Sequence, residues 1–156
     1  TRAFVHMSVE DTVRVGAYNR CNEKNVLQKV DEVIEFCGLS DIRKKLCADI
    51  GLAPLRRVAL ARALATDPEI LLLDEAGAGL NPTELDAFMV LLKKLNRERK
   101  ITLCVVEHVM QMVMGICHRI YVLESGELIA SGTPQEISSN QRVIDAYLGK
   151  RRTHVH

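Results

Sequence analysis

Ile70-Leu71-Leu72-Leu73-Asp74-Glu75 is the stretch on which the reading of this chain turns. The four apolar residues follow Asp67-Pro68, where a helix pattern stops, and form a short continuous run of the kind that reads as a strand buried on both faces of a parallel sheet. Open parallel sheets bind ligands beyond the carboxyl ends of their strands, so this strand delivers two adjacent carboxylates to that edge. Asp74 there suits a Mg²⁺ held through its water shell, because Mg²⁺ dehydrates reluctantly and works beside substrate phosphates. Glu75, pointing elsewhere, suits orienting or deprotonating an attacking water.

Downstream, Asn81 as cap, Pro82 at the first position and Glu84 three residues after the cap mark a helix start, and Leu85, Phe88, Met89, Leu92 and Leu95 then fall on one stripe. Ile101 to Val106 reads as a second apolar strand, and it too ends in polar residues, Glu107 and His108, at the same expected edge. An imidazole at that edge suits a hydrogen bond to a terminal phosphate or to the water attacking it. A lone histidine after a strand is usually structural, so His108 draws its weight from Asp74 and Glu75. Val109, Met112, Val113 and Ile116 repeat at helical spacing, with the methionines as core filling. Arg119 to Leu123 and Glu127 to Ser131 flank Ser125-Gly126, a hairpin signal, and a last helix is expected over about Arg142 to Leu148.

Upstream, Val26, Leu27, Val30, Val33, Ile34 and Cys37 predict an amphipathic helix over Asn25 to Cys37 that Gly38 stops. A second helix is expected from about Pro54 through Ala65. The whole reads as an α/β layer with a helical piece in front.

At 156 residues, 47% hydrophobic and 26% charged, the chain has the size and composition of one folded domain, which excludes global disorder. A net charge of +1, from 21 basic and 20 acidic side chains, excludes sustained electrostatic binding of nucleic acid. The basic runs Arg97 to Lys100 and Lys150 to Arg152 read as solvated surface. Cys21, Cys37, Cys47, Cys104 and Cys117 show no Cys-x-x-Cys spacing and read as reduced core cysteines, and His154 and His156 receive no role. The longest apolar tract, Ile101 to Cys117, is broken by Glu107, His108 and Gln111, so no membrane span is expected.

On these residues a family resemblance rests. Leu71-Leu72-Leu73-Asp74-Glu75 resembles the Walker B strand of ATP-binding-cassette (ABC) ATPases, Ala78-Gly79-Leu80-Asn81-Pro82 resembles their D-loop, and His108 sits where their switch histidine follows the next strand. The finer resemblance is to ATPase subunits of branched-chain amino-acid importers. It is carried by Ala78 to Glu84, Val105 to His108, Val113 to Ile120 and the ending from Gly132-Thr133-Pro134 to Ala146-Tyr147-Leu148-Gly149. Met7 to Val13, closing at Val15-Gly16-Ala17-Tyr18, looks like the start of that family's helical subdomain.

The resemblance implies a partial P-loop NTPase fold of the α/β class. Residues 1–66 would be a helical subdomain with a degenerate signature region, and residues 67–156 the carboxyl-terminal part of the RecA-like core, with its parallel β/α layer, β-hairpin and last helix. It implies ATP and Mg²⁺ as cofactors of the intact protein, Asp74 at the metal, Glu75 and His108 as catalytic residues, and nucleotide contacts at Gly51, Leu52, Ala53, Leu80 and Asn81. It also implies a second ABC ATPase subunit and membrane permease subunits as partners, no nucleic acid, a peripheral place on the cytoplasmic face of the cell membrane, and hydrolysis coupled to passage of leucine-like amino acids.

The departures from the family pattern matter as much. No G-x-x-x-x-G-K-[ST] occurs in the sequence, so the loop that cradles the phosphates is missing from it, and this chain alone is expected to bind no cofactor. Ile50-Gly51-Leu52-Ala53-Pro54 stands where the signature L-S-G-G-Q would sit, which replaces the serine, the second glycine and the glutamine, and Pro54 removes an N–H. Arg2-Ala3-Phe4-Val5 aligns with the family's R-T-F-Q, putting Val5 in place of the glutamine that links nucleotide to permease.

Two readings follow. In the first the chain is a piece of an importer ATPase whose phosphate loop lies upstream, a reading favoured by its opening at Thr1 without an initiating Met. In the second it is a non-catalytic module that docks on a permease or a partner ATPase. A DNA-repair or chromosome-maintenance cassette is disfavoured by the neutral charge and the lack of a coiled-coil heptad insertion. The strands also expect neighbours on both sides, so an exposed sheet edge, an apolar patch and self-association of the isolated chain are expected.

Overall fold

The computed structural model describes residues 4, 6–18 and 23–148. Val5, Cys21, Lys150 to Arg152, His154 and His156, all named above, lie outside the described residues. The chain divides into two compact units, Thr1–Val106 and Glu107–His156.

The first unit begins with helix α1 (Val9–Ala17), whose N-cap Ser8 accepts the Asp11 N–H. Its apolar face buries Val9, Val13 and Ala17. Gly16 lets α1 cross the helix that carries Arg62 backbone to backbone, since a Cβ there would sit 2.0 Å from the Arg62 carbonyl oxygen. Helix α2 (Glu23–Phe36) buries Val26, Val30, Val33 and Ile34, and Gly38 follows it at φ +63°. Leu27, placed on the apolar stripe by its spacing, is instead 58% exposed. Two 3₁₀ turns, Ser40–Ile42 and Cys47–Asp49, lead to helix α3 (Leu52–Leu64). That helix starts two residues earlier than the Pro54 reading, with Gly51 as its cap. The proline is tolerated in the first turn, where an N–H has no intrahelical acceptor to lose.

Strand β1 (Ile70–Asp74) and strand β2 (Thr102–Val106) pair in parallel, Leu72 opposite Cys104 and Asp74 opposite Val106. Between them runs α4 (Pro82–Arg99), started by the reciprocal Asn81–Glu84 capping box and stopped at Lys100, which turns left-handed at φ +57°. Parallel pairing is as expected, but burial on both faces is not. Leu71 and Leu73 are buried, whereas Ile70 and Leu72 are 60% and 75% exposed, and Val106 and Cys104 on the same face are exposed as well. The apolar run records a strand with two dry faces, and among the described residues only one face is packed. Cys104 is therefore no core cysteine, while Cys37 and Cys47 are buried and Cys117 is half-buried.

The second unit holds α5 (Met110–Ile116), the antiparallel hairpin of β3 (Ile120–Glu124) and β4 (Glu127–Gly132), α6 (Pro134–Ser138) and α7 (Gln141–Leu148). Ser125 and Gly126 turn the hairpin with positive φ, +51° and +85°, the conformation expected of that dipeptide. Helix α6 was not foreseen; it is one short segment opened by the Thr133–Glu136 capping box with Pro134 at its first turn. Ile120, Ile137 and Val143 form the core of this unit, with Val113, Met114, Cys117, Val122 and Ala130 packed against them. No helix of the described residues is long and apolar enough to cross a membrane.

Candidate functional site

Asp74 ends β1 as an exposed carboxylate at the carboxyl edge of the parallel pair. Glu75 then leaves the strand. Its backbone enters the left-handed region at φ +46°, a conformation that costs a side-chain-bearing residue roughly 1–2 kcal/mol. Its N–H nevertheless stays in the ladder, donating to the Val106 carbonyl at 2.9 Å. The turn breaks the strand alternation at Glu75, so the side chain there is set by the turn and not by the pleat.

The chain next makes two tight turns, the Ala78 N–H donating to the Glu75 carbonyl and the Leu80 N–H to the Gly77 carbonyl. Arg56 of α3 holds this loop, its Nη2 donating to the Ala78 carbonyl at 2.9 Å. Gly79, at φ +80°, faces Leu52 so closely that a Cβ would meet Cδ2 at 2.9 Å. Leu52, at the start of α3, thus lies against Gly79 in the loop that leads into Leu80 and Asn81. The Asn81 side-chain oxygen is committed to capping the Glu84 N–H at 3.0 Å. Arg56, the residue that joins the two segments, was not singled out from the sequence; an arginine beside a second arginine in a helix carries no local signal of a bond 22 residues away.

At the start of α3, Gly51 offers no side-chain cap and the first turn carries no acid, so the positive helix end is uncompensated. The N–H groups of Leu52 and Ala53 point from it, but Pro54 supplies none and no hydroxyl is present. This end fits a phosphate less well than a serine- and glycine-lined helix start does. The carboxylates fit a hydrated Mg²⁺ better: no group of three or more His, Cys, Asp or Glu gathers among the described residues, and a metal held largely by water and phosphate oxygens needs no such cage.

His108, the second residue of the second unit, is exposed and has its backbone carbonyl bound by the Tyr147 hydroxyl of α7. Tyr147 entered the sequence reading only as one letter of the Ala146-Tyr147-Leu148-Gly149 ending.

A family model described as "ABC transporter" matches residues 1–78, half of the chain, and one described as "Branched-chain amino acid ATP-binding cassette transporter" matches residues 127–152. The High-affinity branched-chain amino acid transport ATP-binding protein LivG of Salmonella typhimurium is 38% identical over 138 residues, 88% of this chain and 54% of the relative. The Methionine import ATP-binding protein MetN 1 of Staphylococcus epidermidis is 38% identical over 128 residues, 82% of this chain and 38% of the relative. The chain thus spans about half, or less, of the curated relatives it matches. Among solved structures, cbiO1 from Clostridium perfringens, part of the ABC transporter complex cbiONQ, gives a TM-score of 0.81 at 28% identity over 92% of this chain and 57% of its own. The ADP conformation of MJ1267, an ATP-binding cassette of an ABC transporter, gives 0.81 at 22% identity over 96% and 66%, a likeness of fold.

Proposed function

Because this chain belongs to the ABC transporter family and has its ATPase fold, we propose that it supplies the acid-pair strand and the histidine of an ATP-hydrolysing subunit of a branched-chain amino-acid importer. The observation that carries the reading is the end of β1, where Asp74 and Glu75 are presented at the carboxyl edge of a parallel pair by a left-handed turn anchored to Val106. In this reading residues 1–66 are the helical subdomain and residues 67–156 the carboxyl-terminal part of the ATPase core. Branched-chain substrates are preferred over methionine, although LivG and MetN 1 are equally identical to the chain, because the match over residues 127–152 is to the branched-chain type.

Bound Mg²⁺ would neutralise charge on the β- and γ-phosphates of ATP. Asp74 would hold the hydrated Mg²⁺, Glu75 accepts a proton from or orients the attacking water, and His108 donates or accepts a hydrogen bond at the terminal phosphate. Gly51 to Ala53 and Leu80-Asn81 face nucleotide across a second ATPase subunit. Permease subunits take up the movement at the cytoplasmic face of the cell membrane, and no nucleic acid takes part.

Positioning and electrostatics supply nearly all phosphoryl-transfer catalysis, so a chain without a phosphate loop in its sequence hydrolyses ATP negligibly by itself. The test is a fusion that places the amino-terminal half of the LivG relative ahead of this chain. ATP turnover should appear and fall about 10²–10⁴-fold in Glu75→Gln. The altered start of α3 favours the second reading, a non-catalytic module that docks on a permease or a partner ATPase; a fusion that binds ATP yet stays inactive would decide for it.

A further inference from the structure

We propose that Tyr147 is a positioning residue for His108, and that α7 acts as a latch setting the backbone from which the imidazole projects. The proposal rests on the reading of His108 as the histidine at the terminal phosphate.

Two independent observations meet here. The Tyr147 hydroxyl donates to the His108 backbone carbonyl, a bond that spans 39 residues and closes the second unit on its own first turn. Val143, one helical turn before Tyr147, is buried with Ile120 and Ile137, and Val113, Met114 and Cys117 of and beside α5 pack on the same cluster. Helix α7 is therefore anchored through Val143 to the cluster on which the helix that His108 leads into also packs, and a residue four positions on from Val143 reaches the segment just before α5. Hydrophobic packing sets the helix; the phenol sets the peptide.

The chemistry of the arrangement is specific. A carbonyl acceptor fixes a peptide plane, and with it the direction of the Cα–Cβ bond of His108, without touching the imidazole. Tyr147 also lies within residues 127–152, which match the branched-chain transporter family model, so the latch is built from the segment that marks the importer type.

The experiment uses the chain as it stands. Tyr147→Phe keeps the ring and deletes the hydroxyl, and two readouts follow it: amide hydrogen exchange of the peptide covering residues 106–111, and the Cε1-proton resonance of the His108 imidazole at fixed pH, assigned with His108→Ala. Exchange should rise about fivefold, as loss of one hydrogen bond implies, and the His108 resonance should shift and broaden while that of His118 stays put. The exchange rise should persist when Tyr147→Phe is combined with His108→Ala, because the acceptor is a backbone carbonyl. Unchanged exchange and an unmoved His108 resonance would overturn the proposal. So would equal disturbance of His118, which would mark general loosening of the unit. Failure of the functional reading shows separately, as a fused ATPase whose turnover ignores His108→Ala.

Discussion

Glu10 and Arg43 are joined by an ion pair, Arg43 Nε to Glu10 Oε2 at 3.2 Å, that ties helix α1 to the segment after the first 3₁₀ turn. Glu10 is buried, 6% exposed, and also meets Lys44 at 2.6 Å and Arg14 at 2.9 Å. Hydrogen bonds from Lys44 and Arg43 hold its carboxyl down at about 2, against 4.5 for an ordinary glutamate. A depressed folded-state value contributes stability that is complete above the unfolded value and is lost as pH falls through the folded one. The first unit should therefore weaken as pH drops from about 4.5 toward 2. Glu10→Gln should cost about 1 kcal/mol at pH 7, by removing the charge from the acceptor that Lys44, Arg43 and Arg14, themselves exposed or part-exposed, converge on. Acid titration of thermal midpoints checks this: the gap between wild type and variant narrows below pH 4.5, and parallel curves would count against it.

Gly16 predicts a sharper loss. A Cβ there would lie 2.0 Å from the Arg62 carbonyl oxygen and 3.0 Å from its carbon, both backbone atoms that cannot swing aside. Gly16→Ala must push α1 off α3, and overpacking of this kind costs about 1–3 kcal/mol or more. Gly51→Ala is the control: no atom lies within 4 Å of its Cβ position and its φ of −69° suits any residue, so it should cost less than about 1 kcal/mol. Denaturant midpoints of the two variants should separate clearly, and equal midpoints would refute the crossing geometry.

What the sequence disclosed was what is local. Asn81, Pro82 and Glu84 announce the start of α4 because capping is settled within four residues, and Ser125-Gly126 announces the hairpin because positive φ is a property of the turn itself. The parallel pairing of β1 with β2 was legible as two apolar runs separated by a helix. The exposure of Leu72 was not, because an apolar letter records what a strand is suited to face and not whether anything lies there. The links that position the candidate residues were the least visible. Arg56 to Ala78 and Tyr147 to His108 are side-chain-to-backbone bonds across 22 and 39 residues, and the acceptor, being a carbonyl, has no identity to read.

The thiols should react in an order fixed by burial. Burial pushes the Cys37 thiol up to about 12, so at pH 8 it holds almost no thiolate in the folded chain. Cys104, opposite Leu72, is exposed and open to reagent. In a Cys21→Ser background, a disulfide-exchange reagent should label Cys104 first and Cys37 only on unfolding. Cys104→Ala should remove the fast phase, and fast labelling of Cys37 would show that its side chain is not enclosed.

The open face of the sheet carries the last prediction. Ile70 and Leu72 of β1 and Val106 of β2 are 60%, 75% and 63% exposed, and register sets them with Cys104 on one side of a two-stranded sheet. Fully burying one such side chain is worth about 1.5–3 kcal/mol, and each strand also presents one edge unpaired by the described strands. The purified chain should therefore self-associate with rising concentration. Leu72→Lys should suppress that association without lowering stability, because the side chain it replaces is already in water and its neighbours Leu71 and Leu73 keep the packed face. Light scattering against concentration reads the first effect and a melting curve the second. A monomer at every concentration, or a variant that melts well below wild type, would mean that Leu72 is covered within the chain itself.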